Sequence, residues 1–144
     1  MPYADLGDVT IHYEEVGQGP TAFIICESDH MTWGPNAHDH RYPGGENMIP
    51  ELEHWKADFG RAIYWEYRGK GESSEPAKYN LPLAASDLAR LIDKLEITKP
   101  VVYGLEWGGA LAQQYALDYS NQCAALVLDS ASPELNAAAS ENWY

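Results

Sequence analysis

Basic residues are scarce in this chain: nine lysines and arginines stand against 22 aspartates and glutamates, for a formal net charge of -13. Such a surface repels a phosphate backbone instead of releasing its counterions, which argues against nucleic acid as a partner. Long apolar runs are lacking too. No stretch is continuously apolar over the length of a bilayer, and the start Met1-Pro2-Tyr3-Ala4-Asp5 has no basic region followed by an apolar one. No membrane partner is expected, and the composition suits a soluble, cytoplasmic protein. Cysteine is limited to Cys26 and Cys123, each at the end of an apolar run. Two such residues make no disulfide framework and read as small buried thiols in a reducing compartment. Internal repeats and low-complexity linkers are missing as well. What remains is 144 residues, 45% hydrophobic and 12% aromatic, enough for one buried core and a single domain over 1–144.

The apolar residues fall into alternating strand and helix patterns. Val9-Thr10-Ile11-His12-Tyr13 alternates with the period of a half-buried strand, and Thr21-Ala22-Phe23-Ile24-Ile25-Cys26 is continuously apolar, as a strand covered on both faces should be. The turn Gly17-Gln18-Gly19-Pro20 between them predicts neighbouring strands, an antiparallel leading pair. Residues 27–46 are polar and turn-rich, the signature of a long loop of functional interest. A short helix is expected over Met48–Lys56, then a strand over Ala62–Tyr67 with Arg68-Gly69-Lys70-Gly71-Glu72-Ser73-Ser74 as its exit loop. Leu88, Leu91, Ile92 and Leu95 repeat at helical spacing, which predicts one buried stripe with Ser86, Asp87, Arg90 and Asp93 in or near water. Pro100–Tyr103 and Ala124–Asp129 are the remaining strands, with a helix over Ala110–Leu117 between them. Strands separated by helices imply parallel neighbours, so the fold class is α/β, a mainly parallel sheet with helices on both faces.

The junction Gly104-Leu105-Glu106-Trp107-Gly108-Gly109 is the most specific motif in the chain. A strand that turns sharply into a helix needs small residues around its central one, because strand, turn and helix pack closely. Together with Arg68-Gly69-Lys70-Gly71-Glu72-Ser73 and Leu126-Val127-Leu128-Asp129-Ser130-Ala131, this segment resembles the α/β-hydrolase fold, most of all its epoxide hydrolase and haloalkane dehalogenase branch, in which an aspartate precedes Trp-Gly-Gly. The resemblance spans nearly the whole chain and corresponds to a truncated, N-terminal portion of that fold. It implies hydrolysis of a small apolar substrate (an epoxide, haloalkane or ester) by an elbow carboxylate, without a cofactor. Carried over by position, Glu106 is the nucleophile, and the backbone N–H of Trp107 is one oxyanion donor. The segment after the Phe23–Ile25 strand, with Cys26, Glu27 and His30, lines the oxyanion and substrate site.

The sequence departs from that pattern in three places. Glu106 is one methylene longer than the family's aspartate, Cys26-Glu27-Ser28-Asp29 stands where the family has a His-Gly turn, and none of His12, His30, His38, His40 and His54 occupies the position of the family's general base. Because the second half of the fold is not matched, a partner chain is expected to complete the site. Glu27 and Glu106, if close, would repel and raise an apparent carboxyl pKa. The competing readings are a non-catalytic dimer that binds a small apolar ligand and a weak metal-binding protein using Glu27, Asp29, His30, His38, Asp39 and His40, residues that solvation in a loop explains equally well. No metal is therefore assigned. Ser73 and Ser74 read as loop and helix-cap residues and most of the tryptophans as core. Ala124–Asp129, internal in the family, is expected here as an exposed edge that pairs two copies into a homodimer.

Overall fold

The structure, a computed structural model, describes residues 2–26, 49–69, 72–74 and 80–131. Six strands, β1 (Tyr3–Asp5), β2 (Thr10–Gly17), β3 (Thr21–Cys26), β4 (Arg61–Trp65), β5 (Lys99–Leu105) and β6 (Ala125–Asp129), form one sheet in the order β1-β2-β4-β3-β5-β6. The pairs β4/β3, β3/β5 and β5/β6 are parallel, whereas β1/β2 and β2/β4 are antiparallel. Among the described residues three helices cover it: α1 (Ile49–Phe59), α2 (Leu81–Lys94) and α3 (Trp107–Asp118).

Alternation along the strands sorts the core into two layers. Phe23, Ile25, Ala62, Tyr64 and Val101 face α1, where Phe23 stacks on Trp55 with ring centroids 4.3 Å apart. Ile24, Cys26, Ile63, Trp65 and Val102 face the other way, against Leu88, Leu91 and Ile92 of α2 and Leu111 and Tyr115 of α3. Helix α2 starts where Asn80 accepts a hydrogen bond from the Leu83 N–H at 2.9 Å, a cap that satisfies one orphan donor of the first turn. Among the described residues no helix is long and apolar enough to cross a membrane.

The leading hairpin expected from the Gly17–Pro20 turn does not form. Strand β4 lies between β2 and β3, with Gly17 opposite Arg61 on one side and Phe23 opposite Ala62 on the other. The burial demand of β3 decides this. Ala22 through Cys26 are buried without a break, so β3 needs a covered neighbour on each edge, while β2, with Tyr13 to Val16 only half-buried, suits a place nearer the rim. Arg61 seals the rearranged corner, donating to the Glu15 carboxylate and, at 2.9 Å, to the Leu95 carbonyl. The three-residue strand β1 was too short to carry a periodic signal.

Asp87 is a second correction: it is fully buried rather than near water. Its oxygens accept from Arg68 Nε at 2.6 Å and Nη2 at 2.7 Å, and Arg90 bonds the same carboxylate. Arg90 and Arg68 also reach Asp8, and the Arg90 guanidinium holds the Asp8 carboxyl below its ordinary value. Helical spacing alone placed Asp87 outside the stripe, but a carboxylate can enter the core when a fork-shaped cation meets it there. Ser73 and Ser74 are a third correction, because they cap no helix. The Ser73 hydroxyl accepts from the His12 N–H at 2.9 Å and donates to the Glu66 carbonyl at 2.7 Å, and Ser74 Oγ accepts from the Thr10 N–H at 2.9 Å, tying the loop after β4 to β2.

Replacing Asp87 by alanine leaves the buried Arg68 with Asp8 alone, at 3.2 Å, and should cost about 3 kcal/mol in urea unfolding. The bridge to Asp8 should be sensitive only to acid. A carboxyl held low in the folded state adds stability above the unfolded value of 3.8, and that stability is lost as pH falls below it, so Asp8→Asn should flatten the acid limb of a Tm-against-pH curve.

Candidate active site

β5 passes into α3 through one residue, Glu106, whose backbone sits at φ 50° and ψ -113°. That conformation is sparsely populated for a residue with a Cβ and survives only where its surroundings hold it. The clamps are visible. The Glu106 N–H donates to the Asp129 carbonyl on β6 at 3.0 Å, and its own carbonyl accepts from the Gly109 N–H at 3.0 Å. Around the turn, backbone meets backbone: a Cβ on Gly104 would lie 2.5 Å from the Gly109 Cα and 2.7 Å from the Gly108 carbonyl oxygen. A Cβ on Gly109 would stand 2.2 Å from the Cβ of Ala131. Strand, helix and the exit of β6 thus meet at a spacing only glycine permits.

The Glu106 side chain is exposed and does not turn back to cap α3. It stands at the helix N-terminus, where the first N–H groups and the helix dipole favour negative charge. Trp107 opens the helix. Its ring is half-buried, tilted against Tyr67 with centroids 5.2 Å apart, and Tyr67 packs edge-on to Trp65 at 4.8 Å. The residue next to Glu106 in the chain is thus part of an apolar aromatic contact with the exit of β4.

Glu106 and Trp107 are thus together at the elbow. Cys26 pairs in register with Gly104, which brings the end of β3 level with the same turn. Its side chain, however, is fully buried and accepts from Trp65 Nε1 at 3.4 Å; burial pushes the thiol up to about 12. Any contribution of Cys26 to the site therefore runs through its backbone. Glu27, with its suggested approach to Glu106, lies outside the described residues, as do His30, the His38-Asp39-His40 cluster, Trp33 and Trp143. Among the described residues no group of three or more histidines, cysteines and carboxylates is placed to hold a metal ion. His54 is exposed on α1, edge-on to Trp55, on the sheet face opposite α3. His12 on β2 is engaged with Glu66 at 3.1 Å, and β4 and β3 separate its strand from β5, a lateral distance of about 14 Å at the usual strand spacing.

Asp129 is the residue that sequence reasoning missed. It ends β6 directly opposite Leu105, its Oδ2 accepts from the Tyr103 hydroxyl at 2.8 Å, and Ser130 Oγ bonds its Oδ1 at 3.1 Å. A second carboxylate therefore sits one strand away from Glu106. The signal that could have revealed it was the parallel pairing of β5 with β6, which brings their C-terminal ends level.

Two substitutions test the strain at the elbow. Glu106→Gly removes the Cβ penalty and should stabilise the fold by about 1 kcal/mol net of the added chain entropy, read from denaturant midpoints at unchanged m. Gly104→Ala should destabilise by about 1 to 3 kcal/mol through overpacking against backbone that cannot retreat.

The sequence model of the family described as alpha/beta hydrolase fold matches residues 61–144, more than half of the chain. The chain is 40% identical over 88 residues to a poly(3-hydroxyalkanoate) depolymerase of Ectopseudomonas oleovorans, covering 60% of this chain and 28% of that protein. To the bifunctional epoxide hydrolase 2 of Sus scrofa it is 31% identical over 121 residues, 82% of this chain and 20% of the other. Among solved structures, the epoxide hydrolase CorEH superimposes with a TM-score of 0.73 at 25% identity, over 93% of this chain and 43% of that one. The chain thus spans less than half the length of each of these relatives. Family match, relatives and superposition agree with the glycine-walled elbow: the chain belongs to the α/β-hydrolase fold family, close to its epoxide hydrolase branch.

Proposed function

We propose that this chain carries the nucleophile-bearing part of a hydrolase site in which Glu106 attacks a small apolar epoxide or a related haloalkane or ester. One observation carries the reading: an exposed carboxylate held in a strained backbone at the strand-to-helix elbow, beside the apolar ring of Trp107. Strain of this kind costs stability and commonly marks functional positions. Relatives named as epoxide hydrolases support the substrate class.

In the proposed reaction a Glu106 oxygen attacks an epoxide carbon, the ring C–O bond breaks, and the released alkoxide takes a proton from water, leaving hydroxide. The product is a glutamyl ester and an adjacent hydroxyl. Water then adds to the ester carbonyl, the resulting oxyanion is met by the Trp107 N–H, and collapse releases a diol and restores the carboxylate. The second half needs a base to activate water. Neither described histidine is at the elbow, so that base belongs to residues outside those described or to a partner chain. The extra methylene of Glu106 displaces the attacking oxygen by roughly 1.5 Å relative to an aspartate, which favours a slow first step.

The exposed β6 edge supports a homodimer as the partner arrangement. Val127 and Leu128 are 41% and 44% exposed there, and among the described residues β6 pairs only with β5, leaving a parallel edge of the kind that accepts another strand. The same apolar edge favours the second reading, a dimer that binds a small apolar ligand without turnover. Styrene oxide serves as the probe. Incubation should place one opened epoxide on the peptide containing Glu106, seen by mass spectrometry, and single turnover in 18O-labelled water should put the label into that carboxylate. Glu106→Gln should show neither; labelling elsewhere, or none with the wild-type chain, would leave the non-catalytic reading. Sedimentation should give twice the 16.0 kDa chain mass, reduced to one by Leu128→Asp, and a monomer at micromolar concentration defeats the dimer.

A further inference from the structure

Asp129 carries no step of the proposed reaction, yet all three of its oxygens are engaged where β6 meets the elbow. Its carbonyl accepts from the Glu106 N–H at 3.0 Å, its Oδ2 from the Tyr103 hydroxyl at 2.8 Å and its Oδ1 from Ser130 Oγ at 3.1 Å. The backbone is strained on both strands. Glu106 at φ 50° and Ser130 at φ 53° are two of the three non-glycine residues with positive φ among those described, and one hydrogen bond joins the first to the neighbour of the second. Such conformations persist only where the surroundings over-determine them, and they cluster at functional sites. Beyond the Ser130 turn, Ala131 lies against the start of α3, so close that a Cβ on Gly109 would stand 2.2 Å from that of Ala131.

Two peptide planes flank Glu106 and define the elbow. The plane behind it carries the Glu106 N–H, held by the Asp129 carbonyl. The plane ahead carries the Glu106 carbonyl, held by the Gly109 N–H at 3.0 Å, and also the N–H of Trp107. With both planes fixed, φ and ψ of Glu106 are fixed, and so are the directions of its Cβ and of the Trp107 N–H. The Gly109 bond belongs to the turn itself, whereas the Asp129 bond comes from another strand and depends on how the end of β6 is held. The anchor there is the Asp129 carboxylate. Tyr103 lies on β5 two residues before Leu105, and its ring packs against Phe23 and Trp55, with centroids 5.6 Å and 6.3 Å away. A ring fixed in this way presents the hydroxyl that holds the carboxylate, and the carbonyl of the same residue meets Glu106.

We propose that Asp129 is a positioning residue for Glu106: its carboxylate, anchored by Tyr103, keeps its carbonyl on the Glu106 N–H and so holds the elbow in the conformation that aims the nucleophile and the Trp107 N–H. This role rests on Glu106 being the nucleophile. It uses the carboxylate as a hydrogen-bond acceptor and not as a charge. Without the anchor the end of β6 shifts, the plane behind Glu106 is released, and the attacking oxygen loses its aim while the surfaces that bind substrate stay as they are.

Two readouts test this: exchange of the Glu106 amide followed by NMR, and the rate of Glu106 alkylation by styrene oxide over a range of concentrations. Asp129→Ala should speed the amide exchange about fivefold, the effect of one hydrogen bond, and lower the limiting alkylation rate about tenfold with the half-saturating concentration unchanged. Tyr103→Phe, which removes one oxygen and keeps the ring, should act in the same direction, and the double variant should be no slower than Asp129→Ala, because the pair works as one unit. Asp129→Asn, whose amide oxygen still accepts from the phenol, should recover most of both losses. Equal losses in the Asn and Ala variants would assign the effect to charge and overturn the positioning role, as would Glu106 exchange unchanged by Asp129→Ala. A wild-type chain that is not alkylated defeats the nucleophile reading instead, and the exchange rates then decide by themselves whether Asp129 holds the elbow. Should Asp129→Ala unfold, Tyr103→Phe carries the same test.

Discussion

Backbone-to-backbone contact between β5 and α3 is the constraint around which this molecule is arranged. Gly104 and Gly109 approach so closely that neither tolerates a Cβ, and the approach leaves Glu106 as the only residue between strand and helix. Its positive φ follows from that geometry. The strain is held from two directions, by the Gly109 N–H within the turn and by the Asp129 carbonyl from β6. The elbow is therefore part of the sheet as much as of the helix: β6 must be in register with β5, Leu105 opposite Asp129, for the clamp to exist.

Away from the elbow, charges hold the rims where apolar packing thins. Arg61 bonds Glu15 and the carbonyls of Gly19 and Leu95, Arg68 grips the buried Asp87, and His12 lies between Glu66 and Glu72. Each joins segments distant in sequence. With only nine basic side chains against 22 acidic ones, Arg61, Arg68 and Arg90 stand where carboxylates gather. Paired in this way, buried carboxylates are tolerated that would otherwise be strongly unfavourable. The loop after β4 depends on two of these sites, since Arg68, Glu66 and Glu72 all lie within it or at its border.

The elbow and the charged rims meet at Tyr67. Its ring joins the core through Trp65 and the site through Trp107, so the order of the β4 exit and the surface beside Glu106 are mechanically linked.

Local pattern alone determined a good deal. Continuous burial in Thr21–Cys26, the helical stripe of Leu88, Leu91 and Ile92, and the glycines around Glu106 announce an α/β sheet and a strand-to-helix elbow, because period and steric need are properties of neighbouring residues. The partners of those elements were decided in three dimensions. Whether β2 lies beside β3 or β4 depends on which strand needs two covered edges, and no turn sequence encodes that. Asp87 reads as solvent-facing until Arg68, 19 residues away, is folded against it. Asp129 joins the elbow only once two parallel strands align their ends, and His12 acquires its two carboxylates only when the loop after β4 closes on β2. Such juxtapositions are set by the sheet's register and the charge pairs it brings together, interactions between residues far apart in sequence that a one-dimensional reading cannot rank.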